Sequence, residues 1–279
     1  RTFFEVNPDR IQTVGLTHMN LKAESEKLRK KEAPDASTQV SKEEISKNLE
    51  ALEDEHFVHL HNHSQYSVLQ ATSEIPALIA KAAALKQPAV ALTDHGNMMA
   101  AYHFTMAAHT HNLSAKAKNE ALSAEGKEPT EQEVTAIVGC EFYVCKDRND
   151  KTTKDNGSQI VLIAKNKAGY HNLAKLASIA ATQGFYYVPR IDKKDISQYK
   201  DNLICLTGNL YGEVPDLVLN VGEKQAEEAL LWWKEQFGAD LYMEIMRHGQ
   251  EDEDRVNTTL IALARKHQIA LVATNNTYY

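Results

Sequence analysis

The run Phe57-Val58-His59-Leu60-His61-Asn62-His63 places histidines two residues apart at the end of an apolar stretch. In a strand, residues i and i+2 point to the same face, so the imidazoles of His61 and His63 can converge on one metal ion. Further along, Ala89-Val90-Ala91-Leu92-Thr93 reads as another strand and ends in Asp94-His95, and Val138-Gly139-Cys140 delivers Glu141. Imidazole and carboxylate are the ligand types that suit zinc or manganese. A His-x-His pair alone is also what hydrogen-bonded strand histidines look like. Asp94, His95 and Glu141 at other strand ends tip the reading toward a metal site.

Positioning such a site requires strands that end together. Apolar runs predict strands near 57–60, 89–93, 136–144, 159–164, 203–206, 240–246 and 269–274. Between them, Ile75, Leu78, Ile79, Ala82 and Leu85 fall at helical spacing, as do Leu173, Leu176, Ala177 and Ala180, and Val256, Leu260, Leu263 and Ala264. Seven strands alternating largely with helices are what a β/α barrel requires. In such barrels the loops at the carboxyl ends of strands build the site. His61, His63, Asp94, His95, Asn209 and Asn276 all follow strands, as that rule asks.

Five ordered motifs extend this reading: His61-x-His63-x-x-Tyr66-Ser67, Thr93-Asp94-His95-Gly96-Asn97, Gly139-Cys140-Glu141-Phe142-Tyr143-Val144, Tyr187-Val188-Pro189-Arg190-Ile191-Asp192, and the closing Ala273-Thr274-Asn275-Asn276-Thr277-Tyr278-Tyr279. From about residue 56 to 279 they resemble the PHP (polymerase and histidinol phosphatase) domain, in the version carried by bacterial replicative DNA polymerase III alpha subunits. Pro189-Arg190-Ile191-Asp192 and Leu206-Thr207-Gly208 point to that polymerase branch. The resemblance implies an α/β fold, a distorted seven-stranded, TIM-barrel-like β/α barrel, and a three-metal phosphoesterase site with nine ligands at strand ends.

Of those nine positions, His61, His63, His95 and Glu141 keep the expected ligand, and five depart. Gln70 and Asn276 stand where the resemblance implies aspartates, Gln159 and Tyr278 where it implies histidines, and Asn209 where it implies a cysteine. One ion would use His61, His63, Glu141 and position 276; a second Glu141, Gln159 and Asn209; a third Gln70, His95 and Tyr278. Carboxamides offer a neutral carbonyl where a dication needs charge or an imidazole nitrogen. The expectation is therefore a degenerate site with no ion, or one weakly bound zinc or manganese at the His61, His63 and Glu141 remnant. Two-metal activation of a water and a leaving group is out of reach of such a set. Arg247, after a predicted strand, is expected to line the same mouth, and Arg190 with Asp192 to form a structural pair near it.

The resemblance implies a scaffold that packs against the polymerase's catalytic modules or a proofreading exonuclease and meets DNA through the parent enzyme. Magnesium-dependent nucleotidyl transfer is expected beyond residue 279. The alternatives are a live metal-dependent 3′–5′ exonuclease in the same polymerase and a free-standing small phosphoesterase.

The remaining features are compatible with this. A net charge of −7 argues against a main DNA-gripping surface. No apolar run is long enough to span a bilayer, and the start has no signal-peptide pattern. Cys140, Cys145 and Cys205 form no Cys-x-x-Cys and predict reduced, buried thiols in a cytoplasmic protein. The chain begins without Met and ends inside a motif, the expectation for a piece of a longer polypeptide. Residues 1–55 read as a linker or helical docking arm, with helices over Leu21–Lys31 and Val40–Asp54 and a capping box at Ser41-Lys42-Glu43-Glu44. Residues 56–279 read as the barrel domain, with a surface insertion near 114–134. His103, His109 and His111 are expected to be surface or satisfied histidines. Of Trp232 and Trp233, one is expected in the core and the other on a docking surface.

Overall fold

Alternation of apolar side chains along short strands determines what faces the lumen. The computed structural model describes residues 57–279. The expected arm, its two helices and its capping box lie outside the described residues. Seven strands form one curled sheet: β1 Ala89–Leu92, β2 Thr135–Cys145, β3 Ser158–Ala164, β4 Arg190–Asp192, β5 Leu203–Leu206, β6 Leu241–Ile245 and β7 Ala270–Ala273. The helices are α1 Ile75–Ala84, α2 Ala101–Ala124, α3 Lys167–Thr182, α4 Lys193–Tyr199, α5 Glu213–Asn220, α6 Glu223–Phe237 and α7 Glu251–His267. The apolar stripes at helical spacing account for α1, α3 and α7, whose buried faces include Ile79, Leu173, Leu176 and Leu260.

The sheet runs β1-β2-β3-β5-β6-β7, with β4 beside β2. All pairs are parallel except those of β3, which is antiparallel to β2 and β5. The loop 146–157 that joins β2 to β3 contains no helix, and a connection without a crossover can return only antiparallel. The amino end of β3, with Gln159, is thereby brought to the level of Tyr143 in β2. Such a curled sheet, flanked by helices, is a distorted β/α barrel.

The expected strand at 57–60 is absent, and β4, which the apolar pattern did not predict, makes the seventh. Residues 59–63 are extended but irregular, and they close the sheet. On one side Ala91 N donates to His59 O (2.8 Å) and Thr93 N to Asn62 O (2.9 Å). On the other, His63 N donates to Thr277 O (2.8 Å) and Thr277 N to His61 O (3.1 Å), beyond the end of β7. Asn62 breaks the ladder: its carboxamide donates to His59 O (3.1 Å) and Ala91 O (3.0 Å), and its N–H to Thr93 Oγ1 (3.1 Å). Short polar side chains compete with regular pairing in this way.

Outside the sheet, Cys140, Phe142, Ile160, Leu162, Cys205 and Met243 pack against the helices with Leu173, Leu230, Trp233 and Leu260. The intervening residues face inward: Val161, Ile163 and Leu206 form a small inner cluster with Ile204 and Tyr242. The period of two therefore directs Glu141 and Glu244 into the lumen. Trp233 is buried, while Trp232 is half-buried beneath the Lys193 ammonium at 4.6 Å. Over 114–134, α2 continues to Ala124 and a return loop is strapped along it. Asn119 Oδ1 accepts from Thr130 N (3.1 Å) and Glu131 N (3.0 Å), and Asn112 Oδ1 from Val134 N (2.8 Å).

Arg190 does not pair with Asp192. Its buried guanidinium donates to four backbone carbonyls, of Gly184 (3.0 Å), Asp155 (2.9 Å), Arg148 (3.2 Å) and Asp150 (3.1 Å). Asp192 instead caps α4, in a capping box with Asp195. The planar fork reaches carbonyls that a carboxylate partner would have left unpaired. We expect Arg190→Met to lower the unfolding free energy in urea by about 3 kcal/mol, through unpaired carbonyls in the interior. Arg190→Lys should recover only part of the loss, because one ammonium cannot span the same carbonyls.

Candidate metal centre

Glu141 is fully buried in the lumen, and three imidazoles surround one of its oxygens. Oε2 lies 3.0 Å from His63 Nε2, 2.9 Å from His95 Nδ1 and 3.4 Å from His61 Nε2. Each histidine arrives from a loop fixed by the barrel: His61 and His63 from the closing segment, His95 from the end of β1, where it bridges to Glu141. His61 is oriented from behind, with Nδ1 2.8 Å from Glu244 Oε1.

One donor atom each from His61, His63 and Glu141 lie within 4.8 Å of one another. Among buried polar atoms, His61 Nε2, His63 Nε2 and Glu141 Oε2 have no hydrogen-bond partner. Unpaired buried polar atoms are rare, and three that converge on one point fit a divalent cation. Two imidazoles and a carboxylate suit zinc or manganese.

The electrostatics fit the same role. Burial opposes charge on His61, but Glu244 and Glu141 outweigh it and raise its pKa to about 10. Burial, reinforced by His95 and His61, lowers His63 to about 3 against the pull of Glu141. Glu141 is held down to about 2 against burial, chiefly by His61. A neutral His63 and an ionised Glu141 are the states in which these groups bind metals; His61 would have to release a proton.

Asp94, adjacent to His95, is not aimed at this cluster. It accepts from Ser64 N (2.7 Å), Ser64 Oγ (2.8 Å) and Ser67 Oγ (2.7 Å), and so fixes the loop that follows His63.

Neutral side chains stand at the five departing positions. Asn209 Nδ2 donates to Gln159 Oε1 (2.7 Å) and approaches Glu141 Oε1 (3.4 Å), while its Oδ1 accepts from Tyr211 N (2.8 Å). Tyr278 packs edge-on against His63 at 4.3 Å and stacks on His95, with its hydroxyl 3.2 Å from His95 Nε2. Burial pushes both the Tyr278 and the Tyr143 phenols up. Gln70 is exposed beside Leu69, and Asn276 keeps a buried Oδ1 without a partner. Arg247 is exposed on the loop after β6. His103 bonds the Tyr66 hydroxyl (2.8 Å) and His111 the Gln132 carbonyl (2.9 Å), both away from Glu141.

Sequence reasoning missed Glu244 and Tyr143. The signal for Glu244 was present: it is a carboxylate inside the apolar run Leu241-Tyr242-Met243-Glu244-Ile245. A charge there is buried and needs a partner.

The PHP domain family model matches residues 59–248. The chain is 39% identical over 228 residues to a DNA polymerase III subunit alpha of Treponema pallidum, covering 80% of this chain and 18% of that one. It is 36% identical over 227 residues to its counterpart in Borreliella burgdorferi, with the same coverage. The chain thus spans under a fifth of the length of these relatives. A protein of Bifidobacterium adolescentis assigned as a metal-dependent phosphoesterase has a TM-score of 0.49 at 10% identity, covering 81% of this chain and 88% of that one.

Beside the centre, His248 ties the loop after β6 to the chain end. Its Nδ1 lies 2.6 Å from Glu253 Oε1 and its Nε2 2.9 Å from Asn275 O. The bond to Glu253 raises the His248 pKa above 6.5, and Glu253 falls below 4.5 against its burial. The stabilisation from His248 is fully present below 6.5 and is lost as pH rises through its raised value. That from Glu253 is present above 4.5 and is lost as pH falls through its lowered value. Thermal melts should show His248→Ala more destabilising at about pH 5.5 than at about pH 9.

Proposed function

Because the chain belongs to the PHP domain family, we propose that it is the PHP domain of a bacterial replicative DNA polymerase III alpha subunit in which the metal site has contracted to a single remnant position. The observation that carries this reading is the pairing of the replaced positions. Asn209 bonds Gln159 and approaches Glu141, and the Tyr278 ring covers His63 and His95. Neutral groups thus occupy the places from which a second and a third ion would be held. His61, His63 and Glu141 remain as one three-donor set.

A bound ion there would supply Lewis acidity. The chain's own residues restrict its use. His61, His63 and Glu141 are at most 1% exposed, and Tyr278 lies over His63 and His95, so a phosphodiester has no open path to the donors. Clamping both the attacking and the leaving oxygen takes two ions a few ångströms apart. The role that remains is structural: a barrel that packs against the catalytic modules of its polymerase and offers a surface to a proofreading exonuclease, in the cytoplasm, meeting DNA through the parent enzyme. Magnesium-dependent nucleotidyl transfer belongs to other parts of that enzyme. Among the described residues no helix is long and apolar enough to cross a membrane.

The live 3′–5′ exonuclease is the competing reading, and the intact three-donor set is what favours it. Elemental analysis separates the two, on the full chain purified without chelator or affinity tag and equilibrated with zinc and manganese. We expect no more than one ion per chain, lost on His61→Ala, and no release of nucleotides from single-stranded DNA. Two or three tightly held ions would overturn the degenerate reading. Restoring ligands with Asn276→Asp and Tyr278→His together should raise metal uptake; no rise would show the positions to be wrongly matched.

A further inference from the structure

We propose that Glu244 is the positioning residue of the metal centre, a buried second carboxylate that fixes the His61 ring and supplies the charge that Asn276 does not. This deepens the proposed function and rests on the reading of His61, His63 and Glu141 as a metal position.

Glu244 is 2% exposed in the middle of β6, where alternation directs it into the lumen. Its neighbours clamp it from both sides. Its N–H donates to Thr207 Oγ1 (2.9 Å) at the end of β5, and Thr274 Oγ1, just beyond β7, donates to its Oε1. The same oxygen meets His61 Nδ1 at 2.8 Å, and no lysine or arginine pairs with it among the described residues. A buried carboxylate without a full counter-charge costs several kcal/mol, so its place in the strand calls for an explanation that packing does not give.

The geometry supplies one. With Nδ1 directed at Glu244, the other nitrogen of His61 points into the cluster, 3.4 Å from Glu141 Oε2, where it would offer its lone pair to an ion. A carboxylate behind a ligating imidazole fixes the tautomer, holds the ring plane and increases its basicity. Charge gives the second argument. Glu141 and Glu244 set two buried carboxylates on either side of the His61 ring, and no lysine or arginine pairs with either among the described residues. A divalent ion beside neutral imidazoles balances that pair, and a monovalent one does not.

The test is zinc affinity of the full chain, by competition with a chromophoric chelator, for wild type, Glu244→Gln and Glu244→Ala, with melting temperature in chelator as the control for folding. Glu244→Gln keeps the shape and removes the charge. It is expected to weaken zinc about 10- to 100-fold while the melting temperature in chelator stays close to that of wild type, and Glu244→Ala should weaken it at least as much. If Glu244→Gln does not fold, Thr274→Val is measured instead; it removes the hydroxyl that orients Oε1 and should weaken zinc by a smaller factor. A wild type that binds zinc beside a folded Glu244→Gln, or Thr274→Val, of equal affinity overturns the role of Glu244 alone. A wild type that takes up no zinc overturns the metal reading beneath it.

Discussion

Burying an ionised carboxylate inside a barrel costs several kcal/mol unless charges or hydrogen bonds surround it, and Glu141 sets that condition for the site. Three imidazoles meet its Oε2, and a carboxamide approaches its Oε1. The four come from three parts of the chain, so the condition fixes the closing segment, the end of β1 and the loop after β5 relative to β2. Asp94 does the same work one layer out, drawing Ser64 and Ser67 onto a single carboxylate. The irregular segment 59–63 is part of the same arrangement: a regular strand would have spent the hydrogen bonds that Asn62 uses to hold the His61 and His63 backbone between β1 and Thr277.

The same constraint decides how much of the molecule is legible in its sequence. Strands show as continuous apolar runs, so 203–206 is recovered and 89–93, 159–164 and 269–274 come within a residue or two at each end. The direction of β3 and the existence of β4 could not be read that way. The first depends on a helix-free connection, and the second on a three-residue segment held by Arg190 and its backbone acceptors. His61, His63, His95 and Glu141 meet as their types suggested, because imidazoles and a carboxylate at strand ends are rarely packing residues. Arg247 and Asp94 carry the same chemical vocabulary without meeting Glu141. Sequence proximity to a ligand cannot distinguish a group that faces the site from one that braces the loop behind it.

On the proposed reading, the five departing residues would let a metal site be lost without losing its barrel. A carboxylate or imidazole replaced by a small apolar residue would leave a cavity and strand the remaining ligands. Gln159, Asn209 and Tyr278 fill the space and pair with what is left. Asn209 satisfies Gln159 through a neutral bond, and Tyr278 places an aromatic face against His63 with a hydroxyl near His95. At Asn209, Gln159 and Tyr278 the exchange keeps a contact while offering a cation a weaker ligand. Stability and metal binding come apart because a hydrogen-bonded carboxamide serves the first and not the second.

His61 is where that separation stops short. It lies between Glu141 and Glu244, with one nitrogen toward each, and no neutral substitution has dissolved the arrangement. Without an ion, a protonated ring can balance only one of the two carboxylates, and besides His61 the Glu244 carboxylate has only the Thr274 hydroxyl donating to it among the described residues. With a divalent ion, the ring is neutral and the two charges cancel. The two states differ in the proton on His61 Nε2, an atom with no hydrogen-bond partner in this structure. A barrel that had passed fully into a scaffold role would have no use for a carboxylate at position 244, where any residue that matched the apolar neighbours of β6 would pack at lower cost. On the proposed reading, Glu244 is the residue through which the remnant position would still answer to a cation.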